Sequence, residues 1–436
     1  MSANVILGGG ITGLAAGIAL KYPIFEAENY PGGICSSYYL RPNQENRLYF
    51  PPEDENAYRF EFGGGHWIFG ADTELLKFIE SFSKVKRYER KSSVYFPNMD
   101  IYVPYPIQNH LSYLPKHITD SIIEELNNES EKVISTLSDW LLANFGKTLC
   151  DLFFFPFHEL YTAGLYKKII PQDQFKSPID KNLIMRGLKG DKTLVGYNAF
   201  FYYPANGLNE LVHNMADKSE ILFNQRAEEI DIKNKKIIYN NRTTIEYKKI
   251  YSTIPLNVMI ALCQIELNML ADPYTSVLVL NIGAQRGVRC PDDHWIYLPQ
   301  SYAGFHRVGF YSNVDTSFLP KNVRKNDSHI SIYVERSFNS GYKISKEELE
   351  IYKMQVVKEL QDWGFIKEVE VIDATWIEYA YTWTWVESTW RSEALIALKE
   401  NNIYQIGRYG RWKFQGIAES IRDGLRARKY EDNLTL

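Results

Sequence analysis

Ala3-Asn4-Val5-Ile6-Leu7-Gly8-Gly9-Gly10-Ile11-Thr12-Gly13 stands at the head of this 436-residue chain. The apolar run 3–7 stops at glycine, the mark of a buried parallel strand, and residues 11–21 then carry helical spacing. Gly8, Gly10 and Gly13 sit at the strand-to-helix turn in a G-x-G-x-x-G pattern. There glycine permits the tight turn, lets the main chain approach a pyrophosphate, and lets helix pack on strand. The helix N-terminus, with its free N–H groups and partial positive charge, then faces the phosphates. The pattern alone also fits a plain glycine turn, so its surroundings decide.

A second strand follows at Pro23-Ile24-Phe25 and ends on Glu26, 18 residues after Gly8. That is close to the ~20-residue offset at which an acid binds a ribose hydroxyl. Next comes Glu28-Asn29-Tyr30-Pro31-Gly32-Gly33, a second glycine turn at the same strand end. Two such turns around one acid point to a large dinucleotide lying across a sheet edge.

The character changes near residue 100. Val133, Leu137, Trp140, Leu141 and Phe145 recur at helical offsets, Gly146 is the expected C-cap, and helix continues over 149–160. Strands are expected at 221–223, 229–232 and 236–239, with Asn240-Asn241 as a turn, and again at 275–282, 295–298, 307–311 and 329–334. A helix over 346–363 follows. The chain closes with a strand over 402–408 and a helix over 417–428, a second strand–glycine–helix unit. The expected fold class is α/β: a discontinuous Rossmann-like nucleotide domain (1–100, 196–260 and 395–436), a helical insertion (101–195) and a mixed β-sheet substrate domain (261–394).

Bulk properties narrow the function. A chain of this length holds two or three domains. Hydrophobic residues make up 45% and charged residues 23%, as in ordinary globular proteins. A net charge of −4 gives no reason to expect nucleic acid or an anionic membrane. The 31 tyrosines suit stacking surfaces as well as cores. Cys35, Cys150, Cys263 and Cys290 lie far apart, so no disulfide framework and no metal site is expected. No basic region precedes the first strand and no apolar run reaches membrane-spanning length, so a cytoplasmic protein without membrane insertion is expected. An oligomer is compatible with this sequence.

Further motifs complete the pattern: Phe62-Gly63-Gly64-Gly65-His66-Trp67-Ile68-Phe69, Arg90-Lys91-Ser92-Ser93-Val94, and Val103-Pro104-Tyr105-Pro106-Ile107-Gln108-Asn109. Later come Gly196-Tyr197-Asn198-Ala199, Tyr297 with Arg307 ten residues on, Tyr379-Ala380-Tyr381, and Gly407-Arg408-Tyr409-Gly410-Arg411-Trp412-Lys413-Phe414. Taken in order, these segments resemble flavoproteins of the amine-oxidase and protoporphyrinogen-oxidase superfamily, and more closely the eukaryotic-type UDP-galactopyranose mutases.

The resemblance implies FAD as cofactor, active when reduced, with NADPH or NADH as reductant. It implies a nucleotide-sugar substrate, default UDP-galactopyranose and UDP-galactofuranose, interconverted through a covalent flavin–sugar adduct in a reaction of glycan biosynthesis. Gly8, Gly10, Gly13, Glu26, Gly32 and Gly33 would cradle FAD, with Ala227 on the adenine side. Gly65 and His66 would lie against the isoalloxazine, and Gly407, Arg408 and Ser420 would approach its far side. Arg307 and Arg408, with Tyr297 and Tyr381, would hold the diphosphate, since guanidinium forks suit phosphate oxygens. Arg186 is the candidate for a second clamp arginine from the helical region. Tyr105 and Gln108 would receive the base, and Phe69, Asn198 and Phe414 would complete the substrate wall. His66, Arg307 and Arg408 are the expected catalytic residues.

Departures from the family accompany this. Ile107 replaces an aromatic residue, His158 an asparagine, Thr162 a tryptophan, and Phe414 a phosphate-binding tyrosine. Two other readings therefore stay open: an amine-oxidase-like oxidoreductase acting on a small molecule, and a flavin-retaining binding protein without turnover.

Overall fold

The computed structural model describes residues 3–127, 133–172, 181–190 and 199–432. Its architecture is mixed α/β, with two large sheets and helices packed on them.

The opening stretch folds as its residues dictate. Strand Ala3–Leu7 runs into helix Ile11–Leu20, and strand Ile24–Phe25 pairs in parallel beside it. The first sheet has seven strands in the order Ala227–Asp231, Lys236–Tyr239, Thr244–Ser252, Ala3–Leu7, Ile24–Phe25, Ile221–Leu222, with Ile403–Gln405 also paired to Thr244–Ser252. Its centre is parallel, which requires burial on both faces. Helix Ile11–Leu20 covers one side and packs on helix Ile417–Leu425 near the chain's other end. Gly424 makes this possible: a Cβ there would lie 2.3 Å from the Thr12 carbonyl oxygen and 2.8 Å from the Ala15 methyl carbon. Both ends of the chain thus close on one layer.

The second seven-stranded sheet runs Ile366–Thr382, Tyr274–Arg286, His329–Asn339, Arg307–Phe310, Trp295–Tyr297, Ser92–Phe96, Ile101–Pro104. All its pairings are antiparallel except Trp295–Tyr297 on Ser92–Phe96. One row across it carries Tyr297 opposite Arg307 and Arg307 opposite Glu335. Directly paired residues point to the same face, so these three side chains are neighbours.

One local expectation fails for a physical reason, and another holds only in part. Val133 lies outside the helix, at 91% exposure, because Thr136 and Asp139 form a capping box that starts helix Leu137–Leu149. At Gly146, where the end of the helix is expected, φ is 74° and the helix breaks, but the chain resumes helical geometry at once and continues to Leu149. The following π-helical turn, Cys150–Phe154, leads into helix Phe155–Tyr161. Among the described residues, no helix is long and apolar enough to cross a membrane.

Candidate active site

A cavity of about 710 Å³ runs from the glycine turns of the first sheet to the face of the second. At one end, Gly8, Gly10, Glu26, Gly32 and Gly33 form its wall. The two turns are tied by a Gly32 N–H to Gly9 carbonyl bond of 2.8 Å. A Cβ on Gly10 would meet nothing within 4 Å, so the main chain there borders open space. Gly13 lies off the wall for the opposite reason: its Cβ would fall 1.9 Å from the Gly8 carbonyl oxygen, and its absence lets helix and strand touch. Helix Ile11–Leu20 has no side-chain cap and no acid in its first turn, so its N-terminal N–H groups remain available to an anion. The buried Glu26 carboxylate accepts from Gly9 N–H at 2.5 Å and Glu28 N–H at 2.8 Å. Burial raises its pKa, and these bonds partly offset the rise.

Midway, Gly65 and His66 line the cavity together with Gly407, Arg408 and Ser420. Gly65 allows close packing, since a Cβ would sit 2.1 Å from the Tyr333 phenol oxygen. His66 is held neutral: burial, then the nearby Arg408, pushes its imidazole down to about 4. Its Nδ1 is buried without a hydrogen-bond partner. Arg408 donates to the carbonyls of Ala380 (2.6 Å) and Gln415 (3.3 Å). Its guanidinium lies 4.6 Å from the Phe414 ring centre and 5.3 Å from that of Tyr381. Among the described residues no carboxylate pairs with it, and its Nε is a buried donor without a partner.

At the far end stand Phe69, Tyr105, Tyr297, Arg307, Tyr381 and Phe414. The Tyr105 and Tyr297 rings are 4.6 Å apart. The π-helical turn and the helix after it add an aromatic wall of Phe153, Phe154, Phe157 and Tyr161. His158 joins that wall with its Nδ1 2.6 Å from the Phe154 carbonyl. Thr162 turns its hydroxyl onto its own helix, donating to the His158 carbonyl at 2.7 Å. Ile107 is fully buried.

Arg307 and Arg408 differ in how their charges are met. Arg307 is no free cation: its Nε donates to Glu335 at 2.9 Å and its Nη2 to the other carboxylate oxygen at 2.5 Å. Burial alone would raise the Glu335 carboxyl, but the Arg307 guanidinium and His306 hold it at about 2. Arg307 therefore reaches the cavity with its charge matched by Glu335, whereas no carboxylate among the described residues pairs with Arg408. The strand expected over 329–334 runs five residues further, to Asn339, and so carries Glu335. The apolar alternation continues through it, and an acid in such a strand opposite an arginine is the signal.

Gln108 and Ala227 lie off the cavity wall. Gln108 is buried in the turn Ile107–Asn109, and half-buried Ala227 starts an outer strand. Arg186 is on the exposed side of helix Lys181–Leu188. Asn198 falls outside the described residues. His306 was missed: it is buried on the wall, 3.6 Å from Glu335, with both ring nitrogens lacking a hydrogen bond.

These features fit a flavin dinucleotide. The glycine border offers room for a pyrophosphate, and the orphaned polar atoms of His66, Arg408 and Tyr409 offer partners to a polar ring edge. Comparison with known proteins agrees. The family model described as flavin containing amine oxidoreductase matches residues 11–427. Among solved structures, that of reduced UDP-galactopyranose mutase superposes with a TM-score of 0.82 at 21% identity, over 98% of this chain and 94% of that one. A CLA-producing fatty acid isomerase from P. acnes gives 0.59 at 15% identity, over 98% of both chains. Putrescine oxidase bound to putrescine gives 0.57 at 14% identity, over 98% of this chain and 97% of that one. At these identities the likeness shows the fold. The chain belongs to the flavin-containing amine oxidoreductase family, a family of flavin-dependent enzymes.

Proposed function

We propose that this protein is an FAD-dependent nucleotide-sugar mutase that interconverts pyranose and furanose forms, by default UDP-galactopyranose and UDP-galactofuranose. The observation that carries this is Arg408, a guanidinium without a carboxylate partner at the middle of the flavin cavity, flanked by Tyr381 and Phe414 and facing a polar row of Tyr297, Arg307 and Glu335. An apolar substrate gives no reason to hold an uncompensated cation there; a departing diphosphate does.

When bound and reduced, by NADPH or NADH, FAD would supply the nucleophile for the anomeric carbon. Gly8, Gly10, Gly32, Gly33 and Glu26 hold its nucleotide half, and Gly65, His66, Gly407 and Ser420 border its ring. Neutral His66 offers a hydrogen bond without adding charge beside two arginines. Arg408 receives the leaving diphosphate, while Arg307, oriented by Glu335, presents the remainder of its fork. Tyr105 and Tyr297 give the base a stacking face, with His158 at its edge. The aromatic wall excludes water from the sugar.

One observation favours a second reading, oxidation of a small organic cation. Phe157, Tyr161 and Tyr381 pack on one another along the cavity wall, their ring centres 5.4 and 4.8 Å apart in turn, and aromatic faces suit an organic cation. A single panel decides between the two. Dithionite-reduced protein is incubated without oxygen with UDP-galactofuranose and other nucleotide furanoses, and oxidised protein is incubated with amines in air. Chromatographic appearance of a pyranose supports the mutase. Intact furanoses together with peroxide release on an amine overturn it.

A further inference from the structure

Among the described residues, three cations line the large cavity, Arg307, Arg408 and Lys413, against three carboxylates, Glu26, Glu335 and Glu419. Their charges cancel. A nucleotide sugar brings one negative charge on each of its two phosphates, so with substrate in place the wall is short of positive charge. Histidine is the side chain that gains charge near neutral pH, and His66, His158 and His306 all line the cavity.

The three differ in what faces them. After burial, the largest influence on His66 is Arg408, which opposes protonation. His158 has its Nδ1 2.6 Å from the Phe154 carbonyl oxygen, which fixes a proton on that nitrogen. His306 faces a carboxylate: its Nε2 lies 3.6 Å from Glu335. The residue is 1% exposed, and among the described residues neither ring nitrogen has a hydrogen-bond partner. Its main chain is tied on both sides, donating to the Glu335 carbonyl and accepting from Leu298 N–H, each at 3.0 Å. The ring packs on helix Phe155–Tyr161, its centre 5.3 Å from that of Tyr161 and 6.2 Å from that of Phe157. The titratable groups around it are Glu335 from the neighbouring strand, Arg307 beside it in sequence, and the Tyr161 phenol from the helix. Tyr381 stands behind Tyr161, the two ring centres 4.8 Å apart.

A carboxylate on the Nε2 side favours the tautomer with its proton there and leaves the Nδ1 lone pair to accept. In the protein alone, burial keeps the imidazole neutral against the pull of Glu335. We propose that His306 supplies the missing cation: its Nδ1 takes a proton from solvent when a nucleoside diphosphate sugar binds at Arg307 and Arg408. This rests on reading the cavity as a nucleotide-sugar site. When the anomeric carbon–oxygen bond breaks, its electron pair goes to the phosphate, and the departing group gains a third negative charge beside the imidazolium. The bond reforms with the proton still on the ring, and product release returns that proton to water.

The test uses oxidised, flavin-loaded protein, which binds without turnover under the mutase reading. The probe is UDP-galactopyranose, which has no monoester phosphate of its own to titrate. Binding heats in buffers of different ionisation enthalpy count the protons exchanged. The expected result is net uptake approaching about one proton per site at neutral pH, with affinity falling up to about tenfold per pH unit as pH rises. H306Q, whose amide still offers Glu335 a donor, should show no uptake and an affinity that no longer varies with pH, while retaining its flavin absorbance. Wild type carrying isotope-labelled histidine gives a readout that needs no variant: one imidazole resonance must pass to the imidazolium position as the nucleotide sugar is added. Binding with no proton uptake overturns the proposal, as does no histidine resonance moving, or uptake that persists in H306Q. Furanose conversion by the dithionite-reduced protein would leave the mutase reading standing in each of those cases. Absence of both binding and conversion overturns the two together.

Discussion

Single side chains divide the work of the cavity. Arg307 and Arg408 look equivalent in sequence, yet only Arg408 keeps its charge uncompensated, because Glu335 takes two donors of Arg307. Replacing Arg408 by Met removes charge-assisted bonds of about 1.5–3 kcal/mol. Calorimetric titration of the flavin-loaded protein with UDP should then show affinity reduced roughly 10- to 100-fold. His66 gives a pH signature. Its folded-state imidazole titrates near 4 against 6.5 when free. The unfolded chain therefore binds a proton that the folded one refuses, and stability is full above pH 6.5 and falls as pH drops toward 4. In urea melts of the apoprotein, H66N should lessen that fall by up to about 1.4 kcal/mol per pH unit. At this scale the arginines, tyrosines and His66 are expected through the family resemblance of the motifs that carry them. Glu335 and His306 stayed hidden because their meaning depends on strand pairing, which brings residues 28 apart onto one row.

Among the elements, the first strand–turn–helix was legible because glycine spacing and apolar period agree locally. Two of its glycines predict opposite outcomes. Gly10 borders open space at an ordinary φ of −67°, so Gly10→Ala should cost the apoprotein under about 1 kcal/mol yet weaken FAD binding at least tenfold. Gly13→Ala drives a methyl into the Gly8 carbonyl and should cost about 1–3 kcal/mol in urea unfolding before any ligand is added. If both variants lost stability equally, the assignment of one to ligand and the other to packing would fail. The strand Ile366–Thr382 was not legible. Lys367, Glu368, Glu370, Asp373 and Glu378 break its apolar alternation, and only pairing along Tyr274–Arg286 holds it extended. Yet it delivers Tyr381 to the cavity.

The whole molecule closes its flavin layer with both chain ends, packing helix Ile11–Leu20 on helix Ile417–Leu425 through Gly424. Flavin binding should therefore stabilise the entire fold: at FAD a thousandfold above its Kd, about 4 kcal/mol, read as a raised unfolding midpoint. Gly424→Val should push the first turn of helix Ile11–Leu20 away from the last turn of helix Ile417–Leu425 and release flavin through a change at a residue outside the cavity wall. The central claim is that an oxidase scaffold here performs a reaction without net redox change. It is tested most directly by counting turnovers per flavin. Protein reduced once, without oxygen, is mixed with excess UDP-galactofuranose while product and flavin absorbance are followed together. Many pyranose molecules formed per flavin, with the spectrum still reduced at the end, is the predicted result. Product no more abundant than flavin, or a cofactor left oxidised by the substrate, would contradict it.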